Sequence, residues 1–202
     1  MDAPTTSPQF DQAYRAPLTL WGDWRIPGEV KQLVGASRPG RALELGCGLG
    51  RISRYMVGQG LRVTGVDFSP MAIAQARARV AEDAARPDFL VDDVRELARV
   101  TGPFDLSIDI GCFHCLDADG QFRYVAALAR LLRPGARHLL WVMDTAPSNR
   151  SMAAPDIGAL FAPAFRLARF LDRRRRLVAS RWFWMERAQG PSGARLPVPD
   201  RP

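Results

Sequence analysis

Lysine is nearly missing from this 202-residue chain: Lys31 stands alone beside 27 arginines. With alanine abundant, that bias reads as a GC-rich coding background, so arginine by itself carries little functional meaning. Cysteine is scarce as well. Cys47, Cys112 and Cys115 make an odd number without framework spacing, which excludes a disulfide-stapled fold and points to reduced thiols in a cytoplasm. No apolar run approaches the ~20 residues that cross a bilayer. The start, Met1-Asp2-Ala3-Pro4-Thr5-Thr6, lacks the basic and apolar blocks of a signal peptide. What is present, 47% hydrophobic and 24% charged residues, is a globular composition with enough chain for one domain and a real core.

The net charge of +7 is unevenly spread. From Phe165 onward ten arginines face only Asp172, Glu186 and Asp200, so the whole excess lies in the last fifth and the rest of the chain is balanced. Residues 1–9 are rich in Pro, Thr and Ser and read as a flexible N-terminus; residues 189–202, with four prolines, read as a disordered tail. Between them, residues 10–188 form a single domain, with 10–40 as an N-terminal cap.

Inside that domain short apolar runs alternate with amphipathic stretches, the pattern of βαβ units on a parallel sheet. Strands are expected at 41–45, 61–66, 88–91, 104–110 and 137–143, and helices at 51–58, 71–84 and 119–132, the last ended by Arg133-Pro134-Gly135. Ser69 followed by Pro70 is an N-cap with proline at the first helical position. Residues 165–171 and 177–186 alternate as two antiparallel strands joined by the arginine-rich run 172–176. Within the second, Trp182 and Trp184 share one face and Phe183 and Met185 the other, as in a strand buried within a sheet. The fold class is α/β: a doubly wound, Rossmann-like, mostly parallel sheet with an antiparallel C-terminal hairpin.

Glu44-Leu45-Gly46-Cys47-Gly48-Leu49-Gly50 joins the first strand to a helix, and glycines there let backbone approach a ligand at a helix N-terminus. Asp67 ends the second strand 21 residues after Gly46, which suits a carboxylate on two ribose hydroxyls, and Asp92-Asp93 end the third. The dinucleotide pattern wants glycine where Arg51 stands, and the Gly-Lys-Ser/Thr of a P-loop is missing. Acids at three strand ends repel a pyrophosphate and suit a cationic ligand, so S-adenosylmethionine, with its sulfonium and ammonium, fits better than a dinucleotide.

These stretches, with Gly65-Val66-Asp67-Phe68-Ser69-Pro70-Met71-Ala72-Ile73, Phe104-Asp105-Leu106 and Leu132-Arg133-Pro134-Gly135, resemble the class I S-adenosylmethionine-dependent methyltransferases over roughly residues 10–186. The resemblance implies seven strands, S-adenosyl-L-methionine as cofactor, and a set of contacts. Glu44 would hold the methionine ammonium beside Gly46, Cys47, Gly48 and Gly50. Asp67 would bind the ribose and Phe68 pack on adenine. Asp93 would meet the adenine amino group, with the Val94 backbone beside it, although Asp92 stands where the family usually has glycine. Asp109 and Gly111 would line the methionine end.

The acceptor side is read from the residues just past the fourth strand. The Asn/Asp-Pro-Pro-Tyr/Phe of adenine-amino methyltransferases is absent; Gly111-Cys112-Phe113-His114-Cys115 stands there instead. His114 is the candidate catalytic base. Cys112 and Cys115 with one histidine fall short of zinc's ligand set, and no metal is expected. Tyr14, Trp21 and Trp24 would cap an apolar acceptor, joined by Cys112 and Phe113. Phe10-Asp11-x-x-Tyr14 and Trp21-Gly22-Asp23 further resemble the small thiopurine, thiol, halide and tellurite methyltransferases. The expected activity is methyl transfer to a small molecule by a monomer or homodimer, with no membrane partner and nucleic acid disfavoured. An RNA-directed enzyme using the arginine hairpin, or a cofactor-binding relative without activity, are the alternatives.

Overall fold

A computed structural model describes residues 6–15, 25–144, 151–175 and 178–189. Strand β1 (Arg41–Leu45) is buried over its last four residues and sits near the middle of a seven-stranded sheet. The chain then winds outward through helix α3 (Arg51–Gly58), β2 (Arg62–Asp67), α4 (Pro70–Ala78) and β3 (Asp88–Val91). It returns to the far side of β1 as β4 (Phe104–Ile110), and continues through a 3-10 turn (Phe113–Cys115), α5 (Ala118–Leu131), β5 (Leu132–Met143), α6 (Ala154–Phe161), β6 (Phe165–Arg175) and β7 (Val178–Arg187). Two helices precede β1: α1 (Ser7–Arg15) and α2 (Gly28–Gly35).

The strand order is β3-β2-β1-β4-β5-β7-β6; β1 to β5 pair in parallel, while β7 is antiparallel to β5 and β6. Winding reverses between β1 and β4, and a doubly wound sheet opens its ligand crevice beyond the strand ends at that point. Both faces are covered, which is why the inner strands are apolar runs. Leu43, Leu45 and Val66 join residues of α5 and α6 in one core, and Ala42, Val63 and Leu139 join those of α2 and α3 in the other. β7 divides its aromatics as expected: Phe183 and Met185 enter the first core, Trp182 and Trp184 the second.

Several boundaries differ from the sequence reading. Helix α4 starts as expected, with the Ser69 hydroxyl accepting from the Ala72 N–H at 3.0 Å, but ends at Ala78 rather than residue 84. Its buried positions run Ala72, Ile73, Ala76 and then Val80, and residues 81–86 are exposed; alanine propensity without a face to bury does not prolong a helix. Arg133-Pro134-Gly135 does not separate α5 from β5. The strand begins at Leu132, opposite Phe104, and its register shifts before Leu106 meets Arg137, a bulge that absorbs these residues.

The hairpin is longer than expected. Arg173, Arg174 and Arg175 pair with Ser180, Ala179 and Val178, so most of the arginine run is strand and not turn. Helix α1 begins at Ser7, inside the stretch expected to be flexible, and α2 and α6 have no counterpart in the sequence reading. The expected tail lies, from residue 190, outside the described residues.

Candidate functional site

The glycine loop leaves β1 and enters α3 with Gly46, Gly48 and Gly50 all at positive φ. All three serve close approaches, Gly50 to the Phe89 ring, which a Cβ there would overlap. A Cβ on Gly46 would stand 2.5 Å from the Cβ of Cys112, so this glycine lets the turn after β4 lie against the loop. A Cβ on Gly48 would stand 2.8 Å from the Tyr14 hydroxyl, so helix α1 reaches the same loop from the other side. The Cys47 N–H donates to Val66 O at 2.9 Å and ties the loop to β2, with the Cys47 side chain buried; Gly50 closes the turn by donating to Cys47 O at 2.9 Å.

Asp67 organises the centre. One carboxylate oxygen accepts from the Gly48 N–H at 2.9 Å and the other from the Ser69 N–H at 3.0 Å. It is buried, and burial pushes its pKa up against those two bonds, with Asp11 adding to the rise. Glu44 is buried in β1 and accepts a bond from the Ser53 hydroxyl. Burial pushes Glu44 up to about 8, against the Ser53 bonds and the Arg51 charge and helped by Asp67. Two acids held above their ordinary range beside glycine backbone make a cradle short of positive charge. That donor set fits a cationic ligand with vicinal hydroxyls, as S-adenosylmethionine is.

Helix α1 lies across this cradle. Phe10 meets Phe68 edge-on, with ring centroids 5.2 Å apart. Ser7 donates to Phe68 O at 3.2 Å, Ser69 donates to Asp11, and Gln75 donates to Tyr14 O at 3.1 Å. Tyr14, expected on the acceptor side, stands over the cofactor loop. Burial, then the charges of Asp67, Cys47, Cys112 and Glu44, push its hydroxyl pKa upward. Trp21 and Trp24 lie outside the described residues.

At the end of β3 the two acids have different tasks. Asp92 accepts from the Asp93 N–H at 2.8 Å and the Arg99 N–H at 2.7 Å, so backbone holds both its oxygens. Asp93 is paired with the Arg95 side chain at 2.5 Å, and although burial opposes it, those bonds hold its carboxyl below the usual range. The Val94 side chain is buried in the core.

Beyond β4 two of the expected site residues are fully buried side chains. Asp109 is fully buried and has no surface to offer a ligand. It accepts from the N–H groups of Cys112 at 2.9 Å and Phe113 at 3.1 Å and from the Tyr124 hydroxyl at 3.0 Å, so it holds the turn in place. Burial, against those bonds, pushes it up to about 7. Phe113 also faces inward, fully buried against Tyr124 and Phe161.

Cys112 lies against Gly46, with burial pushing its thiol up, while Gly111, at φ 92°, stands between His114 and Trp141. His114 is 2% exposed, and burial takes its pKa down to about 4. Sequence reasoning does not single out Ser53, Tyr124 or Trp141. Each is placed by pairing or helix packing that spacing alone does not reveal, though the strand-end position of Trp141 is countable.

The methyltransferase-domain family matches residues 42–135, from β1 into β5. A ubiquinone biosynthesis O-methyltransferase of Xanthomonas oryzae is 32% identical over 135 residues, 66% of this chain and 52% of the relative; the chain thus spans about half the length of that relative. An uncharacterized methyltransferase of Schizosaccharomyces pombe is 34% identical over 89 residues, 44% of this chain and 61% of the relative.

Among solved structures, the Burkholderia thailandensis 1,6-didemethyltoxoflavin-N1-methyltransferase, with 1,6-didemethyltoxoflavin and S-adenosylhomocysteine bound, shares the fold at a TM-score of 0.76 and 23% identity, covering 93% of each chain. The N-methyltransferase NodS of Bradyrhizobium japonicum, in complex with S-adenosylhomocysteine, does so at 0.77 and 15%, covering 91% of this chain and 99% of its own. The family match runs from β1 into β5 and so contains the glycine loop, Asp67 and the end of β4, and the fold shared with these S-adenosylhomocysteine-bound methyltransferases reaches nearly end to end.

Proposed function

We propose that this chain moves a methyl group from S-adenosylmethionine to a small-molecule nucleophile by in-line displacement. The observation that carries the reading is the pair of buried acids, Glu44 and Asp67, both raised above their ordinary range around the glycine loop. When bound, the cofactor supplies an electrophilic methyl on a sulfonium. Glu44 is suited to the cofactor's ammonium group, and Asp67, fixed by two backbone N–H bonds, to its ribose hydroxyls. Phe68 offers a ring face to adenine. Asp93 is the candidate for the adenine amino group; it is held by the Arg95 side chain and the Arg95 N–H, while two backbone N–H groups hold Asp92.

Holding an acceptor in line with the methyl supplies much of such a reaction's rate. His114 is the group on this side able to take a proton, and Asp109 positions it through the turn. Three free cysteines fit a reducing cytoplasm.

A small acceptor is favoured over RNA because four of the hairpin arginines are engaged within the chain. Arg166 pairs with Glu186, Arg173 with Glu29 and Arg181 with Asp144, while Arg169 lies over Trp184. Calorimetry with S-adenosylmethionine and S-adenosylhomocysteine tests the reading, and saturable binding of both is expected. A folded chain that binds neither refutes it, and steeply salt-dependent RNA binding would revive the nucleic-acid reading.

A further inference from the structure

We infer that Gly111, His114 and Trp141 form the acceptor subsite, and that it takes a flat, uncharged molecule whose nucleophilic atom carries a proton. This rests on the methyltransferase reading and names the substrate class of that same site. The three residues meet where β4 and β5 end. Gly111 donates to Trp141 O at 3.1 Å, and its neighbour Cys112 touches Gly46 of the glycine loop, so the group stands one residue from the cofactor cradle.

His114 Nδ1 is buried and has no hydrogen-bond partner among the described residues. Proteins seldom leave such an atom unpaired unless a ligand or water completes it. Burial alone lowers the imidazole, with no charged neighbour contributing, so the ring is neutral near pH 7 and one of its nitrogens is an acceptor. With the proton on Nε2, the unpaired Nδ1 calls for an N–H or O–H from the ligand.

Trp141 supplies the shape. It is half-buried and meets His114 edge-on, with centroids 6.0 Å apart and planes at 74°. A Cβ on Gly111 would come within 3.3 Å of Trp141 and 3.4 Å of His114, so a side chain there would press on both rings. The charge of the surroundings completes the case. The buried acids at these strand ends are Glu44, Asp67 and Asp109, with no buried cation beside them among the described residues, and an anionic ligand would be repelled by any of them that is ionised.

A matched pair of probes separates the possibilities: methyl 3-hydroxybenzoate, which is neutral, and 3-hydroxybenzoate, which is not. Both are titrated into the full chain saturated with S-adenosylhomocysteine. The readouts are tryptophan fluorescence and the His114 ring-proton NMR signal, told from that of His138 with a His114→Gln variant. The ester is expected to bind at least about tenfold more tightly than the acid and to shift the His114 signal. Trp141→Leu is expected to lose the ester while keeping S-adenosylhomocysteine.

Equal or tighter binding of the acid overturns the inference. So does ester binding that leaves His114 unmoved, ester binding retained by Trp141→Leu, or no ester binding up to its solubility limit. Failure of S-adenosylhomocysteine to bind at all would instead sink the underlying methyltransferase reading.

Discussion

At the scale of single residues, Glu44 and Asp67 are acids in one small volume that differ in what satisfies them. Asp67 spends both oxygens on backbone N–H groups and is fixed before any ligand arrives. Its replacement removes a charged hydrogen-bond partner, worth roughly 1.5–3 kcal/mol. Asp67→Ala should therefore bind S-adenosylhomocysteine at least about tenfold more weakly by calorimetry, with Asp67→Asn between it and the parent. Unchanged affinity would remove Asp67 from the site.

Glu44 makes a different prediction, because its pKa of about 8 leaves it mostly protonated near pH 7. A cation beside it favours the charged form, so binding should expel a proton. S-adenosylmethionine affinity should then rise between pH 6 and about 8 and level off above. Calorimetry in phosphate and in Tris should give enthalpies that differ by the buffers' ionisation heats, and Glu44→Gln should abolish the difference.

The acids of this cradle were legible in the sequence because a strand end followed by a glycine loop fixes their position. The inward orientation of Asp109 and Phe113 is not legible, because spacing locates a residue at a strand end without saying which way it points. Asp109 turned out to serve the loop, and Phe113 the core.

At the scale of elements, strand interiors were legible and junctions were not. β3 and β4 have the bounds their apolar runs announce; β4 is buried on both faces, while β3, at the sheet edge, fully buries Phe89 alone. The arginine run between β6 and β7 looks like a turn by composition, yet cross-strand pairing extends through Arg175, and Arg173 finds Glu29 on α2 at 3.3 Å. Long-range partners of that kind leave no local trace.

The same holds for α1, a short helix whose seat is made by Phe68, Ser69 and Gln75 rather than by its own sequence. An aromatic pair adds roughly 0.5–1.5 kcal/mol beyond the area it buries. Phe10→Ala should loosen α1 over the cradle and weaken S-adenosylhomocysteine several-fold. The urea midpoint should move little, since Phe10 lies outside the main cores. A large fall in midpoint with unchanged affinity would show that α1 is a structural prop and no part of the site.

For the whole molecule, the buried titratable groups set an unusual dependence of stability on pH. Burial raises Glu44 from 4.5 to about 8 and Asp109 from 3.8 to about 7, so the folded chain binds more protons than the unfolded one in that range. Stability must then fall as pH rises through it. His114 and His138 act oppositely. Burial lowers them from 6.5 to about 4 and about 3, so the unfolded chain binds the extra protons below 6.5 and stability rises towards that value.

Between pH 4.5 and 6.5 the two slopes oppose each other; above 6.5 both histidines are neutral in either state and only the carboxyls act. Asp93 and Asp105, held low despite partial burial by Arg95 and by Arg41 with Arg133, are ionised in both states throughout and add no slope. The ligand-free chain should therefore lose on the order of 1–2 kcal/mol between pH 6.5 and 8, a range in which most proteins are near their plateau. Urea unfolding at half-unit steps measures this directly. Saturating S-adenosylmethionine should flatten the decline by pairing Glu44 with a cation, and Glu44→Gln should flatten it without ligand. A curve that stays level or rises to pH 8 would mean that these acids are ionised in the ligand-free fold, and the proton release argued for Glu44 would fall with it.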